Sequence, residues 1–302
     1  MLNATGKLSN MADHFIRPRV ACEITADRVI AARAGDQGAS LEAATTATLP
    51  PGLLTPGLQQ ANFEDRAKLA PAVRDTLAAV AGRWRDICLV IPDASTRVML
   101  LDFETFPDKL VDAEAVVRIR LKKSLPFDVD QSAVSFDRHG TGTPVRVVAA
   151  VTPRTVLDEY ESLVRDAGFN PGAVLPSMLA VLGLVDASHP TMVIKVERGT
   201  TTFAIVDQDQ LLLYRALENG GNSVSGESLV EDVNTSLVYF EDRYGVGVDR
   251  MLVTGVESVQ GLQQALSGTN IRVEELIAAA SAAVPTGVNR AMLAGVMGAL
   301  AS

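Results

Sequence analysis

The sequence predicts an α/β protein built from two similar lobes, and three observations carry that prediction. The chain has 302 residues, which is long for one simple core and suits two coupled lobes. Hydrophobic residues make up 47% and charged residues 21%, enough to fill a sizeable core and too apolar for a disordered chain. A strand–turn–strand pattern opens the chain at Val20 to Arg33 and returns at Met192 to Val206. Two halves with the same opening suggest a duplicated architecture, with a ligand cleft between the openings.

The elements follow in order. After the first strand pair, Gly35 to Pro56 carries Gly, Pro and Thr punctuation and reads as loop with a short strand. Phe63 to Gly82 predicts a helix, because Leu69, Val73, Leu77 and Val80 recur at helical spacing and Gly82 can stop it. Ile87 to Ile91 is a short apolar run typical of a buried central strand, with a turn at Pro92-Asp93 and another strand over Val98 to Phe103. Asp112 to Leu125 reads as a helix closed by Pro126. Val134 to Arg138 and Val145 to Val151 predict strands joined across a turn at Gly140 to Thr143. Thr152 to Ala167 is the clearest helix: Thr152 can cap it, Pro153 suits its first turn, and Val156, Tyr160, Leu163 and Val164 form one face. Met178 to Val185 is a short apolar helix.

In the second half, Leu211 to Leu217 predicts a third strand and Glu227 to Tyr244 a helix with Val233, Leu237 and Phe240 on one face. Met251 to Val253 is a strand, Val259 to Leu266 a helix, Ile271 to Val273 an edge strand, and Ala291 to Ala301 an Ala-rich terminal helix too short to span a bilayer.

Composition narrows the function. A net charge of −9 disfavours DNA or RNA as partner. Cys22 and Cys88 sit in apolar runs and read as buried free thiols of a reducing compartment. His14, His139 and His189 are scattered, with no metal-ligand spacing and no Ser-His-Asp or Cys-His arrangement. Met1 to Arg19 lacks the apolar core of a signal peptide and reads as a polar tail, so a soluble cytoplasmic protein is expected.

Several short segments, in order, carry a family resemblance. They are Ile91-Pro92-Asp93 and Leu125-Pro126-Phe127, Val148 to Arg154 with its helix ending Asp166 to Phe169, Arg198 to Thr202, Gly220-Gly221, Ser236 to Phe240, and Met251 to Gly255. In this order the chain resembles the PilM-like proteins of type IV pilus assembly, members of the actin-like ATPase superfamily, from about Arg19 to Ala301. The cytoplasmic part of the related type II secretion platform protein shares that fold. The resemblance implies an actin-like fold of duplicated ribonuclease-H-like lobes with an inserted small α+β subdomain. It sets a tail at 1–18, a first lobe at 19–190 with the insertion at about 107–168, and a second lobe at 191–302. It also implies ATP between the lobes, and capture of the cytoplasmic N-terminus of a PilN-like inner-membrane protein in a groove at the base subdomain and its insertion. The chain would then be peripheral to the inner membrane through that partner, and a homo-oligomer is possible.

The phosphate loops of the resemblance look eroded. A phosphate loop needs backbone amides at close approach, which glycine permits, and a carboxylate that handles Mg²⁺. In the first loop the acid survives as Glu23, but Thr25 replaces the glycine, Ala26 follows, and Asp27 adds negative charge. In the second, Lys195 stands at the acid position and Glu197 at the glycine position, while Gly199, Thr200, Thr201 and Thr202 still offer donors. Lys195 could reach a phosphate as a point charge; the preferred reading puts it on an exposed face or a cleft wall. The adenosine loop keeps Gly255 but has Val256 and Glu257 beyond it, and Gly220-Gly221 marks either the inter-lobe region or a plain turn. The expectation is therefore a vestigial cleft formed by Glu23, Thr25, Ala26, Gly199, Thr200, Thr201, Gly220, Gly221 and Gly255, with ATP and Mg²⁺ weak or lost and no catalytic or metal residue.

Arg118, Arg120, Lys122 and Lys123 crowd one helix of an acidic protein. The plain reading is a solvated face. The functional one, with Leu125, Pro126 and Phe127, is contact with acidic lipid headgroups or an acidic partner segment. The expected function is a scaffold of a pilus-type platform; an active actin-like ATPase or sugar kinase is the alternative, and a filament former a third.

Overall fold

Val20–Ile24 (β1) and Arg28–Ala34 (β2) form the opening hairpin, and Leu41–Thr48 (β3) extends it. The structure, a computed structural model, describes residues 18–35, 40–59, 61–139, 143–208, 210–220, 225–256, 258–279 and 288–301. Residues 1–17 of the expected tail, Gly221, Glu257 and most of the Gly140 to Thr143 turn lie outside them.

Arg66–Ala81 (α1) begins where the Asp65 carboxylate accepts from the Lys68 amide at 3.2 Å. Asp86–Ile91 (β4) then runs parallel to β1. Arg97–Phe103 (β5), Leu110–Lys122 (α2), Ser132–His139 (β6) and Val145–Pro153 (β7) follow, and then Arg154–Asp166 (α3), Asn170–Pro176 (β8) and Ser177–Leu182 (α4). The second half is Thr191–Glu197 (β9), Thr200–Asp207 (β10), Gln210–Glu218 (β11), Gly226–Tyr244 (α5), Arg250–Thr254 (β12), Gln260–Ala265 (α6), Arg272–Glu275 (β13), Leu276–Ala279 (α7) and Ala294–Ala301 (α8).

The duplication is literal. One sheet has the order β3-β2-β1-β4-β8 and the other β11-β10-β9-β12-β13, each an antiparallel triplet followed by parallel strands. A third sheet, β5-β7-β6, carries α2 as a small separate layer. That layer spans Arg97 to Pro153, which corrects the expected 107–168. The strand β5 precedes that range, while α3 falls inside it yet packs with α1 in the first lobe through Val156, Tyr160, Leu163 and Val164.

Strand alternation sorts the cores. In β1, Val20, Cys22 and Ile24 face α1 and α3; in β9, Met192 and Ile194 face α5 and α6. Ala21 and Val193 face inward, into a central core between the two sheets that holds α4 and α8. Helix α8 was expected in the second lobe, but it packs on β1, β2, β4 and α4 of the first. The approach is close: a Cβ on Gly298 would lie 1.9 Å from the Ala180 carbonyl oxygen. Because backbone stands on both sides, Gly298→Val is expected to destabilise by about 1–3 kcal/mol, read as a lowered urea midpoint.

Two local readings are corrected, and one strand carries no expectation from sequence. Strand β3 is eight residues rather than a short strand in a loop, because pairing with β2 stabilises a weakly patterned Ala/Thr run. Strand β8 has no expectation in the sequence; Pro171 and Pro176 disguise an edge strand, the place where a sheet tolerates proline. Thr152 does not cap α3: its hydroxyl pairs with that of Thr96 at 2.8 Å, and Pro153 takes the cap position. The small layer is joined to the second lobe by Asp102, which accepts from Arg146 at 2.9 Å and Arg243 at 3.4 Å.

Candidate functional site: the inter-lobe cleft

Each inner sheet face is apolar until its last residues, and there the charges begin. Glu23 follows Ala21 on the inner face of β1; Lys195 and Glu197 follow Val193 on that of β9. Since the two sheets face each other, the same alternation that buries the apolar residues brings these three side chains together. Lys195 Nζ donates to Glu23 Oε1 at 3.1 Å and also to Glu197 Oε1. The Ser177 hydroxyl, at the start of α4, donates to the same Glu23 oxygen. Gly295 of α8 leaves room for this carboxylate, since a Cβ there would meet it at 2.3 Å.

Asp93 forms a second tie between the lobes. It follows β4, is 1% exposed, and accepts from the Met178 amide (2.9 Å), the Thr202 hydroxyl (3.0 Å) and the Tyr214 hydroxyl (2.9 Å). Thr202 and Tyr214 belong to β10 and β11 of the second lobe.

One cation thus pairs with buried Glu23 and partly buried Glu197, and also feels the charge of buried Asp93. Burial opposes the charge on Lys195, but Glu197, Glu23 and Asp93 hold its ammonium well above the ordinary lysine range. Burial pushes the Glu197 carboxyl up to about 7 against the pull of Lys195, and Asp93 and Glu23 add to the rise. Burial likewise raises Asp93. Burial is the common cause, since it penalises the ionised carboxylate at both positions, and at Glu197 the neighbouring charges add to it.

Above this floor lies a cleft with a volume of about 1030 Å³. Its walls include Thr25, Asp27 and Arg28 from the first lobe, and Arg198, Glu227 and Gly255 from the second, with an apolar side formed by Leu229, Val230, Val256 and Leu262. Thr25 is committed to its own turn: its hydroxyl donates to Asp27 at 2.9 Å and to the Arg28 carbonyl at 3.2 Å. Asp27 is bound by Arg28; burial pushes its carboxyl up, but the Arg28 hydrogen bonds and charge hold it below its ordinary value. Gly255 has φ +81°, and a Cβ there would lie 1.9 Å from the Val196 carbonyl oxygen, so this glycine is required by the contact between two strand ends.

Of the expected site residues, the cleft brings together Glu23, Thr25 and Gly255. Ala26 sits in the β1–β2 turn without lining it. Gly199 turns the β9–β10 hairpin, and Thr200 and Thr201 are buried in β10, so they form a strand rather than a donor loop. Gly220 follows β11 and does not line the cleft, and Gly221 lies outside the described residues. Lys195 is on the cleft wall, as one reading had it, but it is 6% exposed and occupied by carboxylates. Asp93 is expected from sequence only as a turn residue and part of a short resemblance segment, and Ser177 and Tyr214 carry no expectation; the signal available for Asp93 is a carboxylate directly after Pro92 at the end of a wholly apolar strand.

The basic stretch is largely used internally. Arg118 donates to Glu114 and to the Val129 carbonyl, both at 2.8 Å, and Lys122 pairs with Asp130 at 2.6 Å. Leu125 and Phe127 pack on the core of the small layer, while Arg120 and Pro126 are exposed.

Carboxylates of Glu23, Asp27, Glu197 and Glu227 line the cleft, and two of its three cations, Lys195 and Arg28, are already bound by acids. Among the described residues only Arg198 is left without an ion pair there.

Two duplicated lobes of this topology around a central cleft define the actin-like ATPase fold. Within that class the chain is similar in structure to the type IV pilus biogenesis complex PilM–PilN, with TM-score 0.73 and 18% identity over 94% of this chain and 97% of that one. It is also similar to the cytoplasmic domain of EpsL, an inner-membrane component of the type II secretion system of Vibrio cholerae (TM-score 0.55, 12% identity, 94% of both chains). A third similar structure is the ethanolamine utilization protein EutJ from Carboxydothermus hydrogenoformans (TM-score 0.52, 8% identity, 94% of this chain and 89% of that one). At these identities the likeness is one of fold. No family model matches the sequence, and no curated protein matches it. Among the described residues no helix is long and apolar enough to cross a membrane.

Proposed function

We propose that this chain is a cytoplasmic scaffold of a type IV pilus or related secretion platform, held at the inner membrane by the cytoplasmic N-terminal segment of a PilN-like protein, and that its cleft neither binds MgATP tightly nor hydrolyses it. The observation that carries the second half is the Glu23–Lys195–Glu197 cluster. It places an internal cation, with its own carboxylate partners, where an actin-like ATPase must offer free donors to a polyanion. The first half is supported by a full-length fold likeness to PilM–PilN and by a second likeness to a secretion-platform domain. The small layer, with its joint to the first lobe at Thr96 and Thr152, is where the resemblance puts the partner groove.

The test is a tagged pull-down from solubilised membranes, read by mass spectrometry. Recovery of a single-span PilN-like protein is expected. Recovery of no membrane protein, together with ATP turnover by the purified chain, overturns the reading in favour of an enzyme.

A further inference from the structure

Among the described residues six large apolar side chains are exposed, and three of them lie on α2: Leu110 (49%), Val111 (78%) and Ile119 (58%). This helix already has a core face, since Ala113, Val117 and Leu121 are buried in the small layer. Its outward face repeats every four residues as Val111, Ala115 and Ile119, all exposed. A helix with apolar residues on both faces has one face that its own domain does not cover.

The charges beside that stripe say what covers it. Asp112 and Lys123 stand eleven positions apart. At 3.6 residues per turn they lie about 20° apart around the helix and about 16 Å apart along it, so they mark the two ends of one flank. Neither is in an ion pair among the described residues, whereas the neighbouring Arg118 and Lys122 are each matched within the layer. In an antiparallel helix pair related by a two-fold axis, each flank faces its own copy. Asp112 of one chain then meets Lys123 of the other, twice, and small Ala115 lies opposite large Ile119. Parallel pairing would instead set like charges together.

We propose that the outward face of α2 is a self-association surface that pairs antiparallel with α2 of a second copy of this chain. A single helix pair falls below the roughly 1,200 Å² of a standard interface, so the dimer is weak, in the micromolar range. The inference stands on α2 alone and is independent of the cleft and of any membrane partner.

Sedimentation velocity on the full chain at low salt, across the micromolar range, tests it. The wild type is expected to shift from monomer to dimer mass with concentration. Ile119→Asp removes the shift. Asp112→Lys and Lys123→Asp each weaken it about tenfold, and the two together restore it. All these positions are exposed, so thermal unfolding stays within about 0.5 kcal/mol of wild type and shows that the fold is intact. A chain that stays monomeric throughout overturns the proposal, including one that stays monomeric while binding acidic lipid vesicles. So does a dimer indifferent to Ile119→Asp, or one that the charge exchange fails to restore.

Discussion

Lys195→Ala is expected to cost about 3–5 kcal/mol of folding stability at neutral pH, measured by urea unfolding. The ammonium is buried between Glu23 and Glu197, with Asp93 close enough to raise its pKa further. Removing it leaves buried carboxylates facing one another across the lobe boundary without a cation. A total stability of about 5–15 kcal/mol makes this a large fraction. The cause separates from lost packing by a second variant. Lys195→Met combined with Glu23→Gln and Glu197→Gln removes the charges as a set, and it is expected to regain most of the loss, because desolvating an intact ion cluster costs nearly what its attraction returns. If the triple variant is as unstable as Lys195→Ala, the cluster's charge is not what the single substitution exposes.

The second large effect is on pH dependence. The Glu197 carboxyl has an ordinary value of 4.5 and is pushed up to about 7 in the folded chain by burial. The folded state therefore holds this proton more tightly than the unfolded state does. Its contribution to stability is fully present below about 4.5 and is lost as pH rises through about 7. The size is a few kcal/mol, at roughly 1.4 kcal/mol per pKa unit. Glu197→Gln is expected to be more stable than wild type at pH values above 7, and to show a flatter profile between the two values. Unfolding curves at a series of pH values check this; a variant whose profile keeps the wild-type slope would assign the titration to another group.

The two effects share an origin that sequence reading reaches only in part. The repeated hairpins were legible because period-2 alternation is local, and α3 was legible because Val156, Tyr160, Leu163 and Val164 fall on one helical face. Glu23 and Lys195 each stood out as departures at the ends of apolar strands. Their pairing did not, because it joins positions 172 residues apart and depends on two sheets facing each other. Strand β8 was hidden by its prolines, whose cost depends on edge placement rather than on local preference. Thr200 and Thr201 read as a donor loop because hydroxyl residues after a glycine suit either a phosphate loop or a strand; the register with β9 decides for the strand. The contact of α8 with the first lobe was illegible for a similar reason. Its glycines reveal close packing, but not against which helix.

The basic residues of α2 illustrate the converse. Composition marked them as a patch, yet Arg118 and Lys122 are satisfied by their own layer, and what remains without a charge partner among the described residues is Arg120 and the Asp112 and Lys123 ends, beside an aliphatic stripe. Periodicity alone shows that α2 has apolar residues on two sides; only burial tells which side is left over.

The polar groups of the cleft floor have partners within the protein. Glu23 is held by Lys195 and Ser177, Thr25 by its own turn, Asp27 by Arg28, and Asp93 by three donors, and of these the Glu23 and Asp93 ties cross from one lobe to the other. The most direct test is a calorimetric titration of MgATP into the purified chain at neutral pH. No saturable heat is expected at any concentration up to the millimolar range. Saturable binding in the micromolar range would contradict it, and would mean that the Lys195 cluster opens to admit a nucleotide.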